Sequence, residues 1–397
     1  MKILEINKYN YAKGGADRHF LDVVSLLESA GHSVAIFSME SSKNIFSPWQ
    51  KYFISYVGYN ENDSTPWQKI KGIFRMFYSF EAKNKIKKIL ADFQPEVAHF
   101  HNIYHQISFS IIKEIKKKKI PLIMTVHDYA LISPDRDEYL EAVDNKYWKF
   151  IFLSKKYTML KRIILVLETY FEDFIDWKSA VDIFIAPSQF VAEKLIKAGI
   201  TKDRIVIIPH FILDIAPNEC SEKKEADNTS EQYAFYFGRI SKEKGVPEML
   251  DIFRRIGKMK LLIAGEIEDD TEILSDDQIV YLGYLNQKQL GAYLNRANFC
   301  VSFSHLPETF GLIAMESIGA GKPFFGLDSG AFAEIIEQKK AGFICEDIFE
   351  LETKIKEMIE GKISFSKKTI KKEAHEKFGQ EKYLEKITNL FKSSICH

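Results

Sequence analysis

The chain has 397 residues, of which 46% are apolar and 28% charged, and its 55 basic residues equal its 55 acidic residues in number. This length predicts two α/β-sized domains, each large enough for its own core. A formal net charge of zero provides no global field that would attract nucleic acid.

The cysteines and the N-terminus indicate the cellular compartment. The cysteines Cys220, Cys300, Cys345 and Cys396 are scattered and form no C-x-x-C motif, which favours a reducing compartment and argues against structural zinc. An acid and an amide interrupt the apolar character of Met1–Asn7, so no signal-peptide core is present. No run approaches the roughly 20 apolar residues that span a bilayer. We therefore expect a cytoplasmic protein.

The first elements form a βαβ unit. A strand over Lys2–Lys8 is followed by the glycine loop Asn10–Asp17, a helix and a second strand over Ser33–Ser38. The loop lacks G-x-G-x-x-G, so a dinucleotide site is not supported. Taken alone, Gly14 and Gly15 fit a tight turn and a ligand-binding loop equally well.

Two later strands end in histidines. The first, Glu96–Asn102, contains His99 and His101, and the second, Pro121–Tyr129, delivers His127 and an adjacent acid, Asp128. Ligands of open α/β sheets bind at the carboxyl ends of the strands, so these ends are expected to form one wall of a site.

A metal site is the alternative interpretation of these histidines. His-x-His on a strand places His99 and His101 on one face, and His127 would complete a zinc set. Histidines at strand ends are more often hydrogen-bonded structural groups. We therefore predict no metal.

Residues 146–177 combine aromatic and aliphatic side chains with lysines and an arginine. This composition suits a helix lying on an anionic membrane, and the lysine-rich segments 83–88 and 113–119 add to that interpretation. A core-packing helix with a solvated lysine face explains the pattern equally well. A strand over 205–208 then closes the first sheet, and the polar stretch 215–232 is predicted to be a linker.

A second α/β unit begins with a strand at 234–237, followed by Gly238. Gly238 permits close approach of a ligand, and Arg239 and Lys244 can both turn to one anion. Two cations suit a diphosphate because they offset the charge that grows as it leaves. A strand edge that ends at Tyr284 is of the type whose backbone contacts a nucleotide base.

The stretch 307–323 lies between the buried runs 299–304 and 323–327 and predicts a strand–loop–helix–strand unit. Its helix begins near Gly311, where unpaired amides and a partial positive charge favour an anion. Glu308 in the loop and Glu316 in the helix would accept hydrogen bonds from hydroxyl groups on either side of that anion. A nucleoside diphosphate sugar has this chemistry.

The segment P-E-T-F-G-L-x-x-x-E, residues 307–316, resembles the donor-site signature of retaining GT-B glycosyltransferases, family 4 above all. G-R-x-x-x-x-K-G at 238–245 resembles the diphosphate clamp of that family, and V-H-D-Y-x-x-x-x-P at 126–134 resembles its histidine segment. The chain departs from the family at Gly265-Glu266, where a second glycine is usual, and at Pro209-His210-Phe211, where P-N-G is usual.

The resemblance implies a GT-B fold of two Rossmann-like domains facing across a cleft. Residues 1–214 would form the acceptor domain, 233–378 the nucleotide-sugar domain, and 379–397 a helix that returns to the first domain. The implied catalytic residues are His127, Glu308, Arg239 and Lys244. The implied donor-binding residues are Gly14, Gly15, Gly238, Arg239, Lys244, Tyr284, Glu308, Thr309, Phe310, Gly311, Leu312 and Glu316. His99, His101 and Asp128 are expected on the acceptor side.

The activity implied is retaining transfer of a sugar from a UDP- or GDP-sugar to a glycan or lipid-linked acceptor, without a metal or other cofactor. The setting implied is assembly of bacterial surface polysaccharide at the inner face of the membrane. A nucleotide-sugar epimerase of the same fold, a phosphorylase and a non-catalytic nucleotide-sugar-binding partner of a glycosyltransferase remain as alternatives.

Overall fold

The structure is a computed structural model that describes residues 1–57, 72, 75, 77–135, 146–213, 232–268 and 271–396. The chain groups into two compact units, one formed by Met1–Pro209 with Tyr383–His397 and the other by His210–Lys382. The predicted linker at 215–232 lies outside the described residues except for its last residue, Gln232.

The first unit contains a parallel sheet of six strands in the order β2-β1-β3-β4-β5-β6. Its strands are β1 Lys2–Ile6, β2 Ser33–Phe37, β3 Val97–Phe100, β4 Leu122–Thr125, β5 Ile183–Ala186 and β6 Ile205–Ile207. Its helices are α1 Gly15–Ser29, α2 Phe80–Phe93, α3 Ile112–Lys116, α4 Phe150–Leu153, α5 Met159–Phe174 and α6 Gln189–Lys197. The strands are short and almost wholly apolar because helices cover both faces of a parallel sheet.

The second unit repeats this plan with a parallel sheet in the order β12-β11-β10-β7-β8-β9. Its strands are β7 Tyr233–Phe237, β8 Lys260–Ala264, β9 Ile279–Tyr281, β10 Phe299–Ser302, β11 Phe324–Leu327 and β12 Gly342–Cys345. Its helices are α7 Val246–Ile256, α8 Gln287–Arg296, α9 Leu312–Gly319, α10 Phe332–Ile335, α11 Ile348–Ile359 and α12 Lys367–Phe378. The last helix, α13 Gln380–Ile395, groups with the first unit from Tyr383 onward.

Helix starts follow local sequence signals. Ser79 accepts a hydrogen bond from the amide of Ala82 at the start of α2. Ser188 accepts one from the amide of Val191 at the start of α6. Among the described residues, every helix is too short or too polar to cross a membrane.

Each sheet has one point at which the strand order reverses. In the first unit β1 and β3 are neighbours, and in the second unit β7 and β10 are neighbours. The loops that leave two such strands diverge in opposite directions and open a crevice at the carboxyl ends. In the second unit these are the loops that carry Arg239, Lys244 and Glu308.

Candidate active site

The crevice of the second unit brings together two of the predicted catalytic side chains. The Nζ atom of Lys244, in the loop after β7, donates to Oε1 of Glu308, in the loop after β10, over 2.6 Å. Both side chains are largely shielded from solvent, with exposed fractions of 13% and 19%. A cation and a carboxylate that lie 64 residues apart in sequence therefore face the same point.

The loop after β7 is shaped by two glycines in the left-handed or an adjacent conformation. Gly238 has φ 150° and is exposed, so a ligand can approach its backbone. Gly245 precedes α7 with φ 66°, and a Cβ atom there would lie 2.1 Å from the carbonyl oxygen of Phe303. Glycine at 245 lets the two loops pack against each other, which is what places Lys244 beside Glu308.

Backbone pairing fixes the position of Glu308. Its amide donates to the carbonyl oxygen of Ser329 over 3.3 Å, and its own carbonyl accepts from the amide of Ala331 over 2.9 Å. A Cβ atom on Gly330 would lie 2.3 Å from the Glu308 carbonyl oxygen. The segment after β11 therefore supports the acid from behind and requires glycine to do so.

The helix α9 begins at the predicted position. Gly311 is its N-cap, with φ 90°, and has no side chain to cap the amides of the first turn. Phe310 is buried and packs edge-on against His210, with 4.8 Å between ring centroids. The side chain of Phe310 thus anchors the loop in the core, and only its backbone and that of Gly311 and Leu312 can face an anion.

The remaining donor residues predicted in this unit lie around the same edge. Arg239 is half-exposed and its Nη1 atom donates to Oε2 of Glu268 over 3.1 Å. Glu316 is half-buried in the second turn of α9. Thr309 is half-buried beside Glu308. Tyr284 lies beyond the end of β9, in the following loop, with an exposed fraction of 60%.

At Gly265-Glu266, where the family usually has G-x-G, the structure shows why the first glycine is present. Gly265 has φ 147°, and a Cβ atom there would lie 1.7 Å from the carbonyl oxygen of Gly238. The first glycine of the pattern is therefore needed for the fold, because the loops after β7 and β8 touch. Glu266, at the next position, is exposed.

The first unit holds His127 through a buried chain of polar groups. His127 lies after the end of β4, and its Nε2 atom is 2.8 Å from Nδ1 of His101. Nε2 of His101 is 3.0 Å from Oε2 of Glu5, and Nδ1 of His99 is 3.0 Å from Oε1 of the same carboxylate. Thr125 Oγ1 lies 2.8 Å from the other nitrogen of His99.

Burial requires a correction to the expected roles of His99 and His101. Both side chains are fully buried and are hydrogen-bonded to Glu5, so they are not placed to contact an acceptor directly. The carboxylate of Asp128 accepts a hydrogen bond from the amide of Ala130 over 3.1 Å and caps the short helical turn Tyr129–Leu131.

The composition of this cluster is also that of a metal site. The ligand atoms of Glu5, His99 and His101 lie within 4.8 Å of one another. Here each histidine faces a separate oxygen of the carboxylate, so the hydrogen bonds account for the cluster. Metal independence stays a prediction.

The glycines of the first loop occupy the start of α1. Gly14 is the N-cap with φ −155°, an extended conformation open to any residue, and a Cβ atom there would meet nothing closer than Asp17 Oδ2 at 3.9 Å. Both Gly14 and Gly15 are exposed. The fold does not require glycine at 14, and the role of Gly14 and Gly15 in binding a donor stays a prediction.

Sequence reasoning missed three residues. Glu5 was visible as the one acid within a buried strand, and a charge there needs a buried partner. Gly330 lies in the sequence Asp-Ser-Gly after β11, which carries no more than a turn signal. Glu268 lies in an acidic run whose contact with Arg239 depends on loop geometry.

Two family models match the chain. The model described as Glycosyltransferase Family 4 matches residues 13–212, and the model described as Glycosyl transferases group 1 matches residues 218–382. The first match alone covers half of the chain.

The chain is also similar to individual proteins and solved structures. An uncharacterised 42.6 kDa protein in the cps region of Klebsiella pneumoniae is 23% identical over 89% of this chain and 92% of its own length. Among solved structures, sucrose-phosphate synthase from Thermosynechococcus elongatus superposes with a TM-score of 0.68 at 15% identity, covering 99% of this chain and 98% of that chain. Anabaena HepE in complex with UDP-glucose superposes with a TM-score of 0.61 at 15% identity, covering 99% of this chain and 100% of that chain.

Proposed function

The chain belongs to the group 1 glycosyltransferases of family 4, and from that premise we propose that it transfers a sugar from a nucleoside diphosphate sugar, with retention of configuration. The observation that carries the proposal is the contact between Lys244 and Glu308 beside the start of α9. It combines a cation, a carboxylate and helix amides at the point where an α/β sheet binds its ligand.

In the proposed complex the diphosphate replaces Glu308 as the ion-pair partner of Lys244. Glu308, released from that ion pair, accepts hydrogen bonds from the hydroxyl groups of the sugar, and Glu316 accepts them from the ribose. Arg239 adds a planar, two-pronged donor for phosphate oxygens. His127 would lie beside the anomeric carbon. The cations are part of the protein, so we propose that transfer needs no metal.

The chemistry of the site and similar proteins support candidates for the donor and the acceptor. Anabaena HepE has been crystallised with UDP-glucose, which supports UDP as one candidate nucleotide beside GDP. The Klebsiella pneumoniae relative in the cps region supports a role in the assembly of surface polysaccharide. We propose a glycan or lipid-linked acceptor and a cytoplasmic location at the inner face of the membrane.

The test is a panel of UDP-, GDP- and ADP-sugars, with free nucleoside diphosphate as the measured product. Glu308→Ala should abolish product release while nucleotide binding stays measurable, because Lys244 and the helix amides remain. Glu337→Ala, which removes an exposed acid of the same unit, is the matched control and should behave as wild type. Loss of both binding and release in Glu308→Ala would refute the assigned role.

The same assay separates the alternatives. A transferase gives a product whose anomeric configuration, read by NMR, matches that of the donor, and adding EDTA leaves the rate unchanged. An epimerase converts the donor sugar without an acceptor. A binding partner retains nucleotide affinity and gives neither product.

The helix α5 supports the proposed membrane contact because it exposes a stripe of apolar side chains, while two acids are buried beside Leu165 and Val166. Its buried face carries Glu168 and Glu172, and the first of these lies 2.7 Å from His105 Nδ1. Its exposed face is apolar, with exposed fractions of 69% at Leu160 and 85% at Phe174. The members of this apolar stripe recur every three or four residues: Leu160, Ile163, Leu167, Tyr170 and Phe174.

Charge near the stripe favours an anionic lipid surface over a neutral one. Lys155 and Lys161 are exposed beside the stripe, and the flanking residues Trp148 and Phe152 are exposed aromatics. Apolar groups ringed by cations are the pattern of a helix lying in a membrane interface. The lysines of α2 contribute less than the sequence suggested, because several of them pair with acids such as Glu114.

Sedimentation with vesicles tests this contact. Wild type should bind vesicles containing an anionic lipid, bind less at high salt, and not bind neutral vesicles. Leu160→Ser with Phe174→Ser should weaken binding at least about tenfold, since each buried apolar side chain contributes about 1.5–3 kcal/mol. Phe349→Ser, which removes an equally exposed apolar residue of the second unit, should bind as wild type. Equal binding by all three proteins would refute the contact.

A further inference from the structure

A buried carboxylate, Glu5, begins a hydrogen-bonded chain that continues through two histidines at the carboxyl ends of β3 and β4. Glu5 and His99 are direct neighbours in the pairing of β1 with β3, and His101 lies two residues further on. The chain runs from Glu5 through His101 to His127 by contacts of 3.0 and 2.8 Å. Glu5 and His101 are fully buried, whereas His127 is half-exposed.

The protonation of the inner members follows from their surroundings. Burial alone would raise the pKa of the Glu5 carboxyl, but His99 and the hydrogen bonds from both histidines lower it to about 2. Burial, aided by His99, lowers the pKa of His101 to about 4. At neutral pH Glu5 is therefore an anion that only accepts hydrogen bonds, and His101 carries a single proton.

The protonation states of Glu5 and His101 determine where each proton lies along the hydrogen-bonded chain from Glu5 to His127. The single proton of His101 must lie on Nε2, since that nitrogen faces the carboxylate. Nδ1 of His101 is then an acceptor, and the nitrogen opposite it, Nε2 of His127, must donate. The proton of a neutral His127 ring accordingly lies on Nε2.

We infer that Glu5 and His101 are positioning residues that hold His127 in one tautomer and one orientation, with Nε2–H directed into the protein and Nδ1 as the accepting nitrogen. The other tautomer would set two lone pairs against each other inside a buried chain. The rings are also confined by packing, since His19 meets His127 edge-on at 5.6 Å and Phe20 meets His101 at 5.2 Å.

For catalysis this inference rests on the proposed function. A His127 ring with Nδ1 held as the acceptor can take a hydrogen bond from a hydroxyl group of the bound sugar or acceptor. A group that fixes the tautomer of a histidine acts on the rate through that histidine, as an aspartate does in serine hydrolases. Glu5 and His101 need not touch a substrate for this.

The first experiment needs no substrate. Protein labelled with 13C- and 15N-histidine is observed by NMR at a pH where the rings are neutral, and His127 is assigned by the signal lost in His127→Asn. The expected result is the Nε2–H tautomer for His127. The Nδ1–H tautomer would overturn the inference whatever the activity of the protein.

The second experiment uses a matched pair of variants. His101→Phe and His99→Phe each remove one hydrogen bond from Glu5 and keep a ring of similar size, but only His101→Phe removes the contact with His127. His127 should become a mixture of tautomers in His101→Phe and keep Nε2–H in His99→Phe. Identical spectra of His127 in the two variants would contradict the inference, and the wild-type spectrum remains decisive if either variant fails to fold.

The third experiment tests whether the hydrogen-bonded chain from Glu5 to His127 affects turnover. His101→Phe should lower kcat about 100-fold with a small change in KM, the effect expected of a misplaced catalytic group. Adding His101→Phe to His127→Phe should cause no further loss, because both act at one point. Additive losses would overturn the positioning role. If no donor is turned over, the proposed function fails while the tautomer result still decides the inference.

Discussion

The ionisable groups at the carboxyl ends of the two sheets differ in their exposure to solvent. In the first unit Glu5, His99 and His101 are fully buried, and each histidine is hydrogen-bonded to Glu5 and to one further group, Thr125 or His127. In the second unit the pairs Lys244–Glu308 and Arg239–Glu268 retain contact with solvent, the latter with exposed fractions of 36% and 41%.

We therefore expect the first cluster to act as a fixed scaffold. We call the two ion pairs of the second unit the exchangeable site, because their partners could be replaced by a ligand. A buried carboxylate with two hydrogen-bond partners cannot lose one without leaving a buried oxygen unsatisfied, so the first cluster holds its geometry. The exposed Arg239–Glu268 pair is weak because solvent screens it, whereas Lys244–Glu308 is more shielded. A diphosphate would offer either cation a more highly charged partner. We therefore expect changes in the first cluster to affect stability and orientation, and changes in the second to affect ligand binding and rate.

After Glu308→Ala, the largest effect is expected for Lys244→Met, which removes a cation from the exchangeable site. Loss of one group that stabilises the leaving charge typically lowers kcat about 100- to 1,000-fold. Release of nucleoside diphosphate measures it. Lys242→Met, two positions earlier and exposed, is the control and should keep near wild-type turnover. Equal losses in both variants would mean that general charge, not the position of Lys244, is what matters.

Gly245→Ala should destabilise the second unit by about 3 kcal/mol, because the backbone has φ 66° and the new methyl would overlap the Phe303 carbonyl. Gly14→Ala, in extended backbone with open space, should stay within about 0.5 kcal/mol of wild type.

Chemical unfolding separates these two variants. All four tryptophans, Trp49, Trp67, Trp148 and Trp177, belong to the first unit. Fluorescence therefore reports that unit, and circular dichroism reports both. Gly245→Ala should shift the dichroism transition more than the fluorescence transition. A larger shift in Gly14→Ala would show that the packing at 245 is not as constraining as the structure indicates.

The buried cluster predicts acid sensitivity of the first unit. The pKa of His101 falls from 6.5 to about 4 on folding, mainly through burial. Below pH 6.5 the unfolded chain binds a proton that the folded chain does not, so stability falls as the pH drops from 6.5 towards 4. This lowering of the His101 pKa corresponds to a loss of at most about 3 kcal/mol of stability at pH 4.

His101→Phe should flatten this slope when the free energy of unfolding is followed by fluorescence between pH 6.5 and 4. Glu5 contributes at lower pH, because its pKa of about 2 lies below the ordinary 4.5, so its share is lost between those values. A slope unchanged in His101→Phe would mean that the histidine is already charged in the folded protein.

The sequence predicted the second site better than the first. Glu308, Lys244 and the start of α9 lie in short motifs whose residues carry their own chemistry, so local spacing was enough. The contact between Lys244 and Glu308 follows from the strand order, because the loops after β7 and β10 meet where that order reverses.

The contacts within the first cluster could not be predicted from local sequence spacing. His101 and His127 were visible as strand-end histidines, but whether they faced a ligand or one another depended on register and burial. Glu5 becomes the partner of His99 only once β1 pairs with β3. A chemically reactive residue type at a strand end therefore indicates a polar site, and the pairing of the strands decides whether it faces inward or outward.

The smallest expected effect concerns the weaker ion pair of the second unit. Glu268 accepts a hydrogen bond of 3.1 Å from Arg239, so under the proposed function a diphosphate would compete with it for the guanidinium. Glu268→Gln removes the competing charge, and since exposed pairs contribute about 0.2–1 kcal/mol, affinity for nucleoside diphosphate should rise about 1.4- to 5-fold. Calorimetry at low and high salt measures this, and the gain should shrink as salt screens the pair. A fall in affinity would instead make Glu268 part of the nucleotide site, and the half-exposed pair would then be a preformed ligand contact.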